Sequence, residues 1–200
     1  MEHIILKKAS ELFIKYGFKN VTMDEIANDL GISKKTIYVY YENKSYLVEA
    51  VVRYLFNEIV IIIDEIKSLN LNPIEESYKT YNSVSQLLKD EKISIEYQLK
   101  KYFPEVYERI NDVKYEILQN TITNNLNRGI NEGVYRPTIE VNFISKYFLT
   151  TVSSIKNYDY FEIDEIEIIP AMKQVLELYF RSIVTEKGLK YLEQIINSDL

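Results

Sequence analysis

Two hundred residues, 46% of them hydrophobic, are enough to bury a sizeable core in one large domain or two small ones. The absence of cysteine excludes a disulfide framework and thiolate metal centres. The net charge of −6 argues against nonspecific coating of a polyanion, yet residues 1–50 hold seven Lys and seven acids, so the surplus acidity belongs to the remainder. The longest wholly apolar run, Ile59 to Ile63, is far too short to cross a bilayer, and no signal-peptide pattern opens the chain. The expectation is a cytoplasmic protein with no membrane association.

Ile5, Ala9, Leu12, Phe13 and Tyr16 form an apolar stripe at helical spacing, which predicts a first helix ended by Gly17. Thr22 followed by Glu25 is a capping box that opens a second helix, with Val21 and Ile26 placed as its hydrophobic staple. Gly31 supplies the positive φ of a sharp turn, and Ala27 is small enough to let two helices approach. Ser33 caps a third helix, where Ile32 and Ile37 repeat the staple spacing. This is a helix-turn-helix, a unit that commonly sets its second helix in the major groove of DNA.

The surface of that second helix supports the DNA reading over a purely structural corner. Ile37 and Tyr41 point one way, and Lys35, Thr36 and Val39 point the opposite way, flanked by Lys34, Tyr38 and Tyr40. Residues 33–41 carry two Lys and no acid, which suits phosphate oxygens and base edges. Asn43 predicts the cap of a further helix. That places Lys44 at its first position, where a cation opposes the helix dipole unless an anion binds there.

Residues 9–52 resemble the DNA-binding region of the TetR family of bacterial transcriptional repressors. The resemblance is carried by Ala9, Leu12, Phe13, Tyr16, Gly17, Thr22, Ile26, Ala27, Leu30, Gly31, Ser33, Thr36, Tyr38, Tyr41, Asn43, Lys44 and Leu47. It implies that Thr22, Ser33, Tyr38, Tyr40 and Lys44 hold phosphates, and that Lys34, Lys35, Thr36 and Val39 lie near base edges. Two residues depart from the pattern: Lys35 stands where many members have Gly, and Tyr40 where His is common.

Helical signals continue through the rest of the chain. The fourth helix is predicted from Lys44 to about Ser68. Asn72-Pro73 starts another, with Pro at the first helical position. Pro104 opens a helix that reaches about Asn131 and is terminated by Gly133. Arg136-Pro137 makes the next link, and Thr138 is expected to begin the following helix. Pro170 kinks or starts the last long helix, and Gly188 interrupts a short tail helix ending near Asn197. The predicted class is all-α: a three-helix DNA-binding head over residues 1–47 and a helical ligand-binding and dimerisation body over 48–200.

The body carries little catalytic chemistry. The chain's single His, His3, lies near the terminus, no glycine-rich phosphate loop exists, and paired acids such as Glu75-Glu76 and Asp90-Glu91 read as solvated helix positions. The chain is expected to be no enzyme and to need no metal or cofactor. Eighteen Tyr and eight Phe suggest an aromatic-lined pocket between helices, with Tyr97, Tyr102, Phe103, Tyr107 and Tyr147 as candidates beside Tyr115, Phe148, Tyr158, Tyr160 and Phe161. With Glu96 and Glu105 nearby, a cationic or planar aromatic ligand is the expected chemistry, and the family resemblance implies an inducer in this region. Apolar positions on the last two long helices (Tyr147, Thr151 and Ile155; Ile169, Met172, Leu176, Tyr179 and Phe180) are expected to pair two copies. By resemblance, they would do so as a four-helix bundle. The partners so implied are an operator in double-stranded DNA, a second copy of the chain and a small-molecule effector. The competing class is an all-α protein-interaction module whose helix-turn-helix is only a corner.

Overall fold

The computed structural model describes residues 1–91, 94–155 and 168–198, with backbone alone at 168–169. Ten helices follow in order: α1 (Glu2–Tyr16), α2 (Met23–Leu30), α3 (Lys34–Tyr40), α4 (Lys44–Ser68), α5 (Pro73–Leu87), α6 (Ile95–Tyr102), α7 (Pro104–Asn131), α8 (Val141–Ile155), α9 (Ile168–Ile183) and α10 (Glu186–Ser198). Among the described residues the only extended pairing is a single antiparallel bridge between Tyr135 and Val184.

The local start and stop signals do what their chemistry demands. The Thr22 hydroxyl accepts from the Glu25 amide at 3.2 Å while the Glu25 carboxylate accepts from the Thr22 amide at 2.6 Å. Gly31 takes φ 65 and ψ 29, and the Ile32 amide reaches back to the Ala27 carbonyl at 3.0 Å. Asn43 caps α4 through the Tyr46 amide, and Asn72 caps α5 through the Ile74 and Glu75 amides.

The chain divides into two compact units, one of residues 1–61 and 88–114, the other of 62–87 and 115–200. In the first, Ile5, Ala9, Phe13, Phe18, Ile26, Ile37, Leu47, Val51, Leu99 and Val106 share one buried core. The sequence places a head at residues 1–47, whereas the packing unit that holds α1–α3 also takes most of α4, all of α6 and the start of α7. Those segments supply apolar side chains that the three small helices cannot provide alone. In the second unit Ile74, Tyr78, Leu126, Tyr135, Leu176, Phe180, Ile183 and Leu192 form a separate core from α5, α7, α9, α10 and the loop after α7.

Several expectations change against this fold. Tyr16 leaves the apolar stripe of α1 and is exposed, with the Lys15 ammonium 5.2 Å from its ring. Thr138 does not begin α8; the helix starts at Val141 because the Glu140 carboxylate caps the Phe143 amide at 2.7 Å. Gly188 lies inside the first turn of α10 rather than breaking a helix. A Cβ there would come within 2.2 Å of the Val134 carbonyl oxygen, so glycine permits a close approach. Glu75 is solvated as predicted, but Glu76 is buried, accepting from Arg128 at 2.7 Å and from Asn125 at 2.9 Å.

Gly129 gives a test of this packing. It lies within α7, where Ala would ordinarily be favoured by about 1 kcal/mol, but a Cβ would fall 2.0 Å from the buried ring of Tyr135. Gly129→Ala is expected to lower unfolding stability by about 1–3 kcal/mol, measured as a lower urea midpoint at unchanged slope. A midpoint equal to or above wild type would refute the packing described.

Candidate nucleic-acid interface

The third helix is fixed from beneath and bare above. Ile37 and Tyr41 are buried in the first core, while Val39 is 72% exposed and Tyr38 and Tyr40 are also exposed. Burial of the inner face orients the outer one, since a helix of seven residues has no stability of its own to do so. The outer surface of α3 holds Lys34, Lys35, Val39 and the two tyrosine hydroxyls, with Thr36 half-buried beside Ser33.

The three lysines singled out by sequence have different surroundings. Lys34 donates to Asp24 of α2 at 2.7 Å, an ion pair that raises the lysine's pKa chiefly through that hydrogen bond. Lys35 is exposed and has no carboxylate within ion-pair distance among the described residues. Lys44 is half-buried, and desolvation lowers its pKa, only partly offset by the Glu25 carboxylate. Its ammonium donates to the Lys19 carbonyl at 3.0 Å and lies 5.9 Å from the Phe103 ring, so the cation at the start of α4 already has partners within the unit.

The hydroxyl groups are similarly engaged. Thr22 donates to the Glu25 carboxylate at 2.9 Å, and Ser33 lies 2.9 Å from the Thr36 hydroxyl while accepting the Thr36 amide at 3.1 Å. These contacts stiffen the starts of α2 and α3. An open cleft of about 360 Å³ lies beyond the end of α3, lined by Tyr40, Tyr46, Glu49 and Arg53 among others.

A buried hydrogen bond joins this region to α6. The Phe18 amide, in the connection between α1 and α2, donates to Gln98 Oε1 at 2.7 Å. Glu49 of α4 accepts from Arg53 at 2.9 Å and from Arg109 of α7 at 2.8 Å. Sequence reasoning missed both links, because partners 60 and 80 residues apart leave no local pattern.

The aromatic candidates for a ligand site divide between the units. Tyr97, Tyr102, Phe103 and Tyr107 lie in the first, with Phe103 and Tyr107 packed against its core. Tyr147 lies in the second, 53% exposed and stacked on Phe143 with ring centroids 6.4 Å apart. The first four and Tyr147 thus belong to different compact units. Tyr158, Tyr160 and Phe161 lie outside the described residues. Glu96, expected to attract a cationic ligand, already binds Lys100 at 2.9 Å and Lys114 at 3.1 Å. The candidates for pairing two copies also separate. Met172, Leu176, Tyr179 and Phe180 are buried within the chain's own fold, Thr151 and Ile155 are half-buried, and the Ile169 side chain lies outside the description. Among the described residues of α8 and α9, the large apolar side chains left exposed are Phe143, Tyr147 and Leu178, two of which sequence reasoning missed.

With this geometry in hand, the likenesses to known proteins are specific. Residues 5–51 match the bacterial regulatory proteins, tetR family. A transcriptional regulator of the TetR family from Agrobacterium tumefaciens superposes with a TM-score of 0.75 at 18% identity, over 92% of this chain and 97% of that one. The HTH-type transcriptional regulator YvaF of Bacillus subtilis (strain 168) is 35% identical over 103 residues, 51% of this chain and 54% of that protein. The chain thus carries, over residues 5–51, a segment of the bacterial regulatory proteins, tetR family. Its match to YvaF spans about half of that protein's length. A gamma-butyrolactone receptor (ArpA-like protein) shares the fold, with a TM-score of 0.66 at 12% identity over 99% of this chain and 96% of that one. The match to the tetR family covers α1–α3 and the start of α4, the segment whose outer face has just been described.

The Glu49 link in this TetR-family head predicts a pH dependence. Burial pushes the Glu49 carboxyl upward, but hydrogen bonds from Arg53 and Arg109 outweigh it, and the net pKa is lowered. A carboxyl with a depressed folded pKa contributes stability that is complete above its unfolded pKa, near 4.3. That contribution is lost as pH falls through the folded value. Glu49→Gln is therefore expected to cost about 1–2 kcal/mol at pH 7, with the gap to wild type closing as urea titrations move below pH 4. A gap that stays constant down to pH 3 would contradict this account of the link.

Proposed function

We propose that the chain is a ligand-responsive repressor that binds a near-palindromic operator as a homodimer and is released by a small molecule bound in its helical body. The observation that carries the DNA reading is the acid-free outer face of α3, where Lys35 is unpaired and Val39 bare while Ile37 and Tyr41 lock the inner face. On this reading Lys34, Lys35, Thr36 and Val39 meet base edges; Val39 suits a thymine methyl and Lys35 a guanine edge. Thr22, Ser33, Tyr38, Tyr40 and Lys44 meet phosphates. Thr22 and Lys44 would each exchange a present partner for a phosphate, Glu25 in one case and the Lys19 carbonyl in the other.

Release follows from linkage. An effector lowers operator affinity only if it binds the DNA-free arrangement more tightly, and by reciprocity DNA then weakens the effector. The structural likeness to a gamma-butyrolactone receptor supports a small-molecule input here without naming its chemistry. Pairing of two copies is supported by Phe143 and Tyr147 on α8 and Leu178 on α9, which stand 64%, 53% and 68% exposed. One reading helix contacts too few base pairs to specify a site, so two-fold pairing also follows from the recognition problem itself.

Two measurements test this reading. In fluorescence anisotropy on a duplex selected from random DNA, Lys35→Ala should weaken binding. It should also make the slope of log affinity against log salt shallower by about 2, one phosphate-equivalent cation lost per protomer. Lys34→Ala should weaken it less, because Asp24 already screens that charge. Failure of the wild-type chain to select any sequence would favour the interaction-module class instead. Separately, Leu178→Arg should shift the chain to monomer in sedimentation equilibrium with helical content intact. A dimer unaffected by this change would place the interface elsewhere.

A further inference from the structure

Six contacts between an ammonium and an aromatic ring occur among the described residues, and all lie in the compact unit that contains the head. Such interactions occur about once per 70–80 residues, so roughly one would be expected in a unit of this size. Three of the six converge. The Lys19 ammonium lies 5.0 Å from the Tyr102 centroid, and the Lys101 ammonium lies 5.6 Å from that same ring. Lys101 also sits 5.0 Å from the Tyr97 ring and donates to the Tyr97 hydroxyl at 2.7 Å.

Two cations sharing one ring repel each other over a distance that ~0.1 M salt only partly screens. Neighbouring lysines relieve such repulsion with a carboxylate: Lys100 and Lys114 both bind Glu96. Lys19 and Lys101 have no carboxylate within ion-pair distance among the described residues, and both are exposed. The rings hold the two ammoniums in place, and among the described residues no carboxylate supplies their counter-charge.

The position of the pair identifies the source. Lys19 lies three residues before Thr22, and its carbonyl accepts the Lys44 ammonium. The pair therefore continues the edge of the head from the two residues assigned above to phosphate contacts. A small anion held by two exposed lysines would gain little, because isolated surface ion pairs contribute only about 0–1 kcal/mol. A polyanion already docked on α3 presents its backbone at a high effective concentration, and there each extra cation adds to affinity.

We propose that Lys19 and Lys101, held on the Tyr102 ring, grip the phosphodiester backbone of operator DNA outside the base pairs read by α3. This rests on the DNA-binding reading above. It adds a sequence-independent contact that extends the footprint into flanking DNA.

The test uses the full chain and a selected operator, as the core site alone and with added flanking base pairs. The Lys19→Gln/Lys101→Gln double variant should bind the long duplex with a salt slope shallower by about 2–4 in the dimer. It should bind the core duplex as wild type does, and Lys19→Arg/Lys101→Arg should retain the wild-type slope on both. Both lysines are exposed, so unchanged circular dichroism and melting should accompany the effect. Equal slopes for wild type and the Gln variant on the long duplex would overturn the proposal, with Lys35→Ala still showing that the head binds DNA. Equal losses on both duplexes would overturn the flanking placement. Charge-dependent stabilisation by inorganic phosphate without any DNA effect would replace the proposal with a small-anion site. No wild-type binding to any duplex would defeat the DNA reading and this inference together.

Discussion

The backbone amide of Phe18 sets the constraint on which the head depends. The chain leaves α1 through Gly17 at φ 87 and at once buries the Phe18 side chain completely, which carries its amide out of reach of water and of any helical carbonyl. A buried amide left unpaired costs about 1–3 kcal/mol. Gln98 of α6 removes that cost with an acceptor at 2.7 Å, and its carboxamide passes so close to Gly17 that a Cβ there would lie 2.8 Å from it. The turn before the helix-turn-helix is thus completed by a residue from the middle of the chain. This is why α6 belongs to the same compact unit as α1–α3, and why a three-helix description of the head is incomplete. The helices α4 and α7 each begin in this unit and continue without a break into the residues of the other. The chain thus crosses between the two units three times, twice within a helix.

Electrostatics within the head follows the same economy of partners. A chain with net charge −6 can bind a polyanion only where its cations are locally unopposed. On α3 that condition selects Lys35, since Lys34 spends its charge on Asp24. The Lys34–Asp24 pair joins α2 to α3 at the surface and adds little to stability, being largely exposed. Its consequence lies in recognition: a phosphate or base edge must compete with Asp24 for Lys34, which lowers affinity for arbitrary DNA more than for a site that contacts the rest of the helix well.

How much of this could be read in the sequence depended on the range of the interaction. The capping box at Thr22 and Glu25, the left-handed Gly31, the caps at Ser33, Asn43 and Asn72 and the breaks at Pro73 and Pro104 all involve partners within a few residues. Each appears where local chemistry placed it. The start of α8 was displaced because a Glu served as the cap, a role for which it has less propensity than the Thr two residues earlier. Interactions between distant segments were invisible. Nothing near Glu76 announces the arginine 52 residues away that draws it into the interior. Nothing near Met172 or Phe180 tells an apolar face that packs within the chain from one that would meet a second copy. The exposed, acid-free surface proposed to face DNA was legible because it lies on one short helix; the surroundings of the aromatic residues were not, because they depend on which lysines the fold delivers to them.

Lys44 shows how a local irregularity acquires its meaning from these longer contacts. A cation in the first turn of α4 opposes the helix dipole, and by local rules alone the residue looks misplaced. In the folded unit its stem is half-buried, and its ammonium bonds to the Lys19 carbonyl while facing the Phe103 ring. The unfavourable dipole term is therefore set against a charge-assisted hydrogen bond and a cation–π contact. The three groups so joined, Lys44 and its two partners, come from the start of α4, the α1–α2 connection and the junction of α6 with α7. On the proposed phosphate contact, an ammonium drawn toward DNA would loosen its hold on the other two, and DNA occupancy would then be linked to the packing of the α6–α7 junction through this one side chain.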